Sequence, residues 1–495
     1  MTAPGITVTS LASPPPVTTV APTAPWFVTG ITQRGRTDAP ISVTSMGEVN
    51  EKLGVRNGNS ALWDALDLFF RDGGVQAWVA RVAGPAATVA TLAIKDGAST
   101  PLTTLTVNAN SPGAWANGAT GGLTVAVVAG SVAGTYQLVI SLGGVVVETT
   151  PNLTTPADAA AWSATSKYVT ILDAHSATVA PQNNPAVAAA APLAGGTDDN
   201  ASIVEATWTA ALDRFSPDLG PGQVSAPGRT TDAAHIALLA HAAANNRIAL
   251  LDGADTGTAA TLITEASAVV AAGGDPSRGA IFAPWVVIPG LPTGGPVPAA
   301  PRTVAPSALA AAAIARTDAA TGNPNVAAAG TPEGVSSFAI GVSQTFNAAD
   351  RGALNSVGVD VIRNIAGVVQ VYGFRTLSND PNWVQLNWAR LRMAIQEDGT
   401  KIAAGIAQFA QLDGKGQMLG RLNGHLAGML QAYWQKGALY GNVASEAFAV
   451  DTSPAVNTPA TLAAGQVIAV LSIRRTPMAE FTQIEIVNVP ITQPV

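Results

Sequence analysis

The sequence predicts a multidomain α/β protein with an open α/β core, an inserted mostly-β domain, an α+β C-terminal domain and extended arms at both ends. Three observations carry this expectation. Helix-period and strand-period segments alternate over 26–84 and again over 196–365, the pattern of an open parallel sheet covered by helices. Between them, 85–195 consists of short Thr/Val/Leu-rich runs separated by turn residues. Its only charged side chains are Lys95, Asp96, Glu148, Asp158, Lys167 and Asp173. After 366, two long helical stripes are followed by strand-like runs. At 495 residues the chain exceeds one ordinary core.

The elements follow in order. In the N-terminal arm, 1–25, Ile6, Val8 and Leu11 lie in a short alternating run before Pro14, Pro15, Pro16, Pro22 and Pro25, which predicts a strand on a stiff tether. From Trp26 the core begins. Ser60 is placed to cap a helix carrying Leu62, Ala65, Leu66, Phe69 and Phe70, and Asp72-Gly73-Gly74 ends it before a strand over 75–82. The inserted β domain, 85–195, interrupts the core. Beyond it, helical spacing at Ile203, Val204, Trp208, Leu212 and Phe215 leads to a strand near Val224. A helix over 232–244, a strand over 247–251, a helix over 258–272 and a strand over 280–288 complete a βαβαβ series. A Pro/Gly-rich loop over 289–306 precedes an Ala-rich helix over 307–316, and the core is expected to close before about Ala366.

The C-terminal domain, 366–475, opens with an apolar β-favouring run through Val368, Val369 and Val371. Asp380 followed by Pro381 predicts a helix start, with Val384, Trp388, Leu391 and Ile395 on one stripe to 397. A second helix over 417–436 is marked by Met418, Leu422, Leu426, Met429 and Tyr433, with Gly437 at the cap position. Strands are expected over 467–473 and, in a C-terminal arm of 476–495, over 481–489.

Composition excludes several function classes. Charged residues are 12% and apolar residues 47%, so few charges are available to cover a free monomer's surface, which favours burial in an assembly. A net charge of −7 without a Lys/Arg cluster argues against nucleic acid as a partner. No cysteine is present, which removes disulfides, thiolate metal sites and cysteine nucleophiles. Residues 1–25 hold no positive charge and no compact apolar run, so no secretory leader is expected. Nor is direct membrane insertion, because polar residues interrupt 97–147 every few positions.

Chemistry is equally sparse. His175, His235, His241 and His425 form no ligand set, and Asp413-Gly414-Lys415-Gly416 lacks the spacing of a phosphate loop. No metal and no cofactor is expected. The best case for catalysis is a hydrolase triad from Asp252 or Asp255, His235 or His241, and Ser307. No GxSxG elbow accompanies it, so Ser307 is expected to cap its helix, His235 to line a helix face and Asp252-Gly253 to form a turn.

Four stretches, in order along nearly the whole chain, resemble the tail sheath proteins of contractile bacteriophages and related contractile injection systems. Pro112-Gly113-Ala114-Trp115 is similar to the family's Pro-Gly-Ala-Trp turn leading into its β insertion, with Ala116 where glycine is usual. Pro284-Trp285 resembles its strand-ending Tyr-Pro-Trp. The stretch from Val304 to Asp318 resembles its loop, helix and Ala-Arg-Thr-Asp ending, with Ala305 and Ala308 as departures. Tyr372-Gly373-Phe374-Arg375-Thr376-Leu377-Ser378 resembles its Trp-Gly-Ala-Arg-Thr-Leu-Ser, and Trp383 holds the downstream aromatic.

That resemblance implies a non-enzymatic polymer of six-membered rings stacked around a tail tube, contracting to drive the tube through a cell envelope. It implies a core like a subtilisin fold without catalytic residues and an outward-facing β insertion. Arm strands would be exchanged between subunits, here through Ile6, Val8, Leu11, Phe481, Ile484, Ile486, Val487 and Val489. A C-terminal domain would face the tube, with Arg390, Arg392 and Lys436 as contact candidates, and Arg375 would hold together the entrance to that domain. The implied partners are further copies of the chain, a tail tube protein, and baseplate and tail terminator proteins. The implied location is a virion tail assembled in the bacterial host cytoplasm, the alternative being the sheath of a bacterial injection system.

Overall fold

The computed structural model describes residues 25–292 and 299–480. The arm-strand residues Ile6, Val8, Leu11, Phe481, Ile484, Ile486, Val487 and Val489 lie outside them. Thirteen α-helices and five sheets are present among the described residues. These residues divide into two compact units, one of 25–320 with 328–389 and one of 321–327 with 390–480.

The larger unit is organised on an eight-stranded sheet. Its strands are β1 (Trp26–Ile31), β2 (Ile41–Val43), β3 (Ala77–Val82), β4 (Gln223–Ser225), β5 (Ile248–Asp252), β6 (Gly279–Ala283), β7 (Val359–Ile365) and β8 (Val368–Val371). The spatial order is β8-β7-β6-β5-β4-β1-β3-β2. The six inner strands are parallel and each edge strand is antiparallel. Helices on both faces explain why these strands read as continuous apolar runs. Trp26 and Phe27, consecutive and therefore on opposite faces, show it. Trp26 meets Phe69 of helix α1 (Leu62–Arg71) with ring centroids 4.8 Å apart, and Phe27 meets Phe215 at 5.4 Å.

On the Phe27 face, α2 (Asp232–Ala244) and α3 (Ala259–Ala271) bury Leu238, Leu239, Leu262 and Val269 against Val224, Leu251 and Ile281. Helix α4 (Pro306–Thr321) is buried almost all round, from Pro306 to Ala315, which explains its alanine content and lack of a polar face. Charges fasten α1 from outside its apolar stripe. The Arg302 guanidinium meets Asp64 and Asp67, Arg56 meets Asp64, and Arg71 meets Asp67. At the end of α1, Asp72 is 1% exposed and pairs with Arg316 of α4. It also accepts from Ser336 Oγ at 3.0 Å, Ser337 N at 2.7 Å and Ser337 Oγ at 3.1 Å.

The 85–195 segment forms two antiparallel sheets around one core. Thr91–Lys95, Thr103–Ala109 and Val169–Asp173 make the first, and Leu123–Ala129, Tyr136–Leu142, Val145–Thr149 and Ala188–Pro192 the second. Leu105, Val107, Ile171, Val125, Leu138 and Ile140 fill the space between, with alternate residues pointing outward.

In the smaller unit, helix α5 (Leu386–Ile406, from Arg390 onward) and α6 (Gln417–Gln435) pack Leu391, Ile395, Leu422, Leu426, Met429 and Tyr433. Tyr433 donates from its hydroxyl to Asp398 at 2.8 Å. Gly437 at φ 78° ends α6, its N–H bonding Trp434 O while Ala438 N–H bonds Tyr433 O, the left-handed termination its spacing predicts. A two-stranded ladder of β9 (Phe448–Asp451) and β10 (Val470–Ile473) lies beside α6.

Several expectations are corrected. The helix does not begin at Pro381. Thr376 N–H bonds Val384 O at 2.9 Å, Thr376 Oγ1 donates to Trp383 O at 2.7 Å and Leu386 N–H bonds Phe374 O at 3.1 Å. These bonds close 374–386 into a loop, so α5 starts at Leu386 and runs to Ile406, beyond 397. The expected strand over 280–288 is two strands in different sheets, Gly279–Ala283 and Val286–Ile288, divided at Pro284. The loop over 289–306 contains a strand, Arg302–Val304, paired with Val286–Ile288. The sheet does not close before Ala366. Ala366 at φ 51° and Gly367 at φ 87° turn the chain back, and β8 adds beside β7.

Candidate assembly surfaces

The residues of the possible triad occupy one end of the large sheet and play other parts. Asp252, the last residue of β5, accepts from Ser307 N at 2.7 Å, Ser307 Oγ at 3.1 Å and Gly228 N at 3.1 Å. Ser307 thus does not cap its helix. Asp252, 55 residues away, caps α4 with a buried carboxylate placed where the helix dipole favours it. Among the described residues no hydrogen bond joins Ser307 to His235 or His241. His241 Nε2 takes Arg247 Nη1 at 2.8 Å, and that guanidinium lies 3.8 Å over Phe27 and donates to Phe215 O and Ser216 O, both at 2.7 Å. Burial and the Arg247 charge lower His241 to about 4, a neutral acceptor. Ser307 is 0% exposed, closed to any substrate.

Beside this cap, His235 Nδ1 lies 3.6 Å from Glu265 Oε1, the imidazole buried and the glutamate half-buried. Burial lowers His235 to about 4 and raises Glu265 to about 7 and Asp252 to about 6. The signs oppose. The raised carboxyls contribute stability that is present below their ordinary range and lost as pH rises through about 6 and 7. The lowered imidazole contributes stability present above its ordinary value and lost as pH falls through about 4. Glu265→Gln should therefore gain on the order of 1–3 kcal/mol relative to wild type at pH 8 and lose that advantage by pH 5. Urea titrations at the two pH values read this out.

The Gly373-Phe374-Arg375-Thr376-Leu377 stretch docks on the sheet through its backbone. Arg375 N–H donates to Asp360 Oδ1 at 2.8 Å, Leu377 N–H to Gly279 O at 3.0 Å, and Arg375 Nη1 to Asn355 O at 3.3 Å. A Cβ at Gly373 would stand 2.7 Å from Asp360 Oδ1 and 2.9 Å from its Cα, so only glycine permits this approach. Trp383 gives its carbonyl to Thr376 Oγ1, and Phe374 and Leu377 are buried. Trp285 donates from Nε1 to Gly253 O at 2.8 Å, holding the turn after β5.

Pro112-Gly113-Ala114-Trp115 lies within the β insertion, between Thr103–Ala109 and Leu123–Ala129, and not at its entrance. It nevertheless marks the join to the core. Arg81, 1% exposed on β3, donates to Pro112 O and Gly35 O, each at 2.8 Å, while Arg34 lies over the Trp115 ring at 5.4 Å. Gly113, at φ 137°, would place a Cβ 2.8 Å from Asp198 Oδ1. The chain enters and leaves here side by side, with Gly84 N–H bonded to Asp198 O at 3.3 Å.

The three cation candidates separate. Arg390 is 0% exposed and donates to Pro324 O at 3.4 Å, so it is a residue of the unit's interior and not a surface contact. Arg392 is half-buried. Lys436 is exposed, and its Nζ reaches Gly322 O at 3.1 Å. Arg421 and His425 are absent from the contact candidates that the sequence suggests. Both are exposed on α6, one turn apart, and make no hydrogen bond or ion pair among the described residues. A signal for them exists: the core residues at 418, 422, 426, 429 and 433 leave 421 and 425 on another stripe, and 417–435 contains no Asp or Glu. The β9–β10 ladder offers a different surface, a two-stranded sheet too small to be stable alone. No helix among the described residues is long and apolar enough to cross a membrane.

No family model and no curated protein matches the sequence. Solved structures do match in fold. The sheath tail protein of Listeria innocua superimposes with a TM-score of 0.62 at 13% identity, covering 92% of this chain and 96% of its own. The sheath tail protein of Desulfitobacterium hafniense gives 0.56 at 16% identity, over 90% and 93%. The helical sheath of the anti-feeding prophage in its contracted state gives 0.55 at 18% identity, over 98% and 99%. The chain has the fold of these sheath proteins over nearly its whole length.

Proposed function

We propose that a chain carrying this fold from end to end is itself a structural subunit of a contractile tail sheath, polymerising as stacked six-membered rings around a tail tube. The observation that carries the reading is the coverage: the matches span at least nine-tenths of this chain and of each sheath protein. In this reading the core is a subtilisin-like sheet whose Asp252 and Ser307 act as a helix cap, and the chain is not an enzyme. Contraction moves rigid subunits between two packings while exchanged strands keep the lattice connected. The β9–β10 ladder is the natural receiver, because an added strand satisfies edge groups that a two-stranded sheet leaves open.

Baseplate and tail terminator proteins would cap the polymer's two ends, and the particle would be a virion tail assembled in the host cytoplasm. The match to the anti-feeding prophage sheath favours, as a second reading, a bacterial contractile injection system built on the same lattice. Negative-stain microscopy of the purified protein tests the proposal. Striated hollow tubes are expected, and a species that stays monomeric at all concentrations counts decisively against it.

A further inference from the structure

We propose that Asn57 is a site of self-modification, its side-chain amide exchanged for a carboxylate through a cyclic imide formed with Gly58. The chain contains three Asn-Gly steps, Asn57-Gly58, Asn117-Gly118 and Asn423-Gly424. All share the favourable chemistry, because glycine has no Cβ to shield its nitrogen from the preceding side chain. The structure separates them. At 117 the amide is held at both ends: Asn117 Nδ2 donates to Gly196 O and Oδ1 accepts from Gly196 N, each at 2.9 Å, while Gly118 N donates to Leu193 O at 2.9 Å. At 423, Nδ2 donates to Val450 O at 3.0 Å and to Thr452 Oγ1 at 3.2 Å, and Gly424 lies inside α6, where its N–H belongs to the helix ladder. Reaction at either position requires these bonds to break first.

Asn57 carries no such restraint. Among the described residues neither its Nδ2 nor the Gly58 N–H makes a hydrogen bond, and Gly58 is exposed. Its Oδ1 accepts from Asn59 N at 3.0 Å, a turn that folds the side chain back over the Gly58 peptide and polarises the carbonyl to be attacked. In the reaction Gly58 N gives its proton to solvent and bonds to Asn57 Cγ. The Cγ–Nδ2 bond breaks, and Nδ2 takes a proton and leaves as ammonia. Water then opens the imide at either carbonyl, leaving aspartate or isoaspartate. Each product sets a carboxylate beside Arg56, whose Nε lies 2.9 Å and 2.8 Å from the two Asp64 carboxylate oxygens. Isoaspartate also lengthens the main chain just ahead of Ser60, whose Oγ accepts from Leu62 N at 3.1 Å where α1 begins.

The test uses the purified full chain, aged in mildly alkaline buffer and mapped by proteolysis, chromatography and mass spectrometry, which distinguish the amide, aspartate and isoaspartate forms of each peptide. In the native chain, conversion at 57 should outrun conversion at 117 and at 423 by about tenfold or more, the factor that breaking one or two held hydrogen bonds puts into a rate. The same chain unfolded in urea should convert all three at similar rates, which assigns the native difference to the fold. Gly58→Ala should keep the wild-type melting temperature, since a Cβ there meets nothing within 4 Å and the backbone lies outside the left-handed region. It should nevertheless slow conversion at 57 several-fold by crowding the attacking nitrogen. Conversion at 117 or 423 that keeps pace with 57 in the native chain overturns the proposal. So does an unmodified 57 over a period in which the unfolded chain has converted. Neither outcome depends on polymerisation, so the inference stands or falls apart from the sheath reading.

Discussion

Deleting residues 2–11 is expected to abolish polymerisation and leave a folded, soluble monomer. Ile6 and Val8 alternate with Thr7 and Thr9, and Leu11 follows before five prolines within 14–25, a pattern from which the sequence predicts a strand on a stiff tether. On the sheath reading this strand completes a sheet in another copy, and the backbone bonds it makes there have no replacement when it is absent. Sedimentation velocity should show a single small species, and negative stain no striated tubes. Because the eight-stranded sheet begins only at Trp26, circular dichroism and the melting temperature should stay at their wild-type values. Normal polymers from the truncated chain would sink the arm assignment while leaving the fold comparison untouched.

The second large effect lies inside the core. Asp72→Ala should cost about 2–3 kcal/mol, because it removes a buried carboxylate that pairs with Arg316 and accepts from Ser336 and Ser337, leaving the guanidinium only its backbone partners. The pair ties the end of α1 to α4 and to 336–337, so its loss loosens three segments together. The comparison substitution is Asp38→Ala, which removes an ion pair with Arg36 whose side chains are 56% and 71% exposed. It should cost about 0–1 kcal/mol. Urea midpoints measure both, and equal effects would show that burial is not what gives Asp72 its weight.

Sequence patterning reveals the layers better than the joins. The helices 232–244 and 259–271 and the stripe of α6 lie within a residue or two of expectation, since each buries one face and its periodicity is a local property. Joins made by distant partners are not legible. Nothing near Pro381 announces that Thr376 and Phe374 will bond Val384 and Leu386 and delay the helix. Nothing near Ser307 announces that Asp252 caps it. The surface candidates show the same division. Arg390 falls off the expected stripe of Val384, Trp388, Leu391 and Ile395, yet it is 0% exposed and donates to Pro324 O within the same compact unit. Arg421 and His425 are readable from spacing alone, once the apolar stripe of α6 is taken as the inward face.

The adjacent crossings at Gly84 and Asp198 make the β insertion a module in the mechanical and evolutionary sense. A domain whose two ends leave its host at neighbouring points adds little loop-closure entropy to the host, however many residues it contains. It can be enlarged, trimmed or exchanged for an unrelated fold while the eight-stranded sheet keeps its register. The tight backbone at Gly84, Gly113 and Gly196, where a Cβ would fall 1.9 Å, 2.8 Å and 2.3 Å from the nearest atom, is therefore the socket and not the cargo. Genetic fusions belong beyond that socket, at tips such as Gly143-Gly144, where turn glycines already carry the chain back.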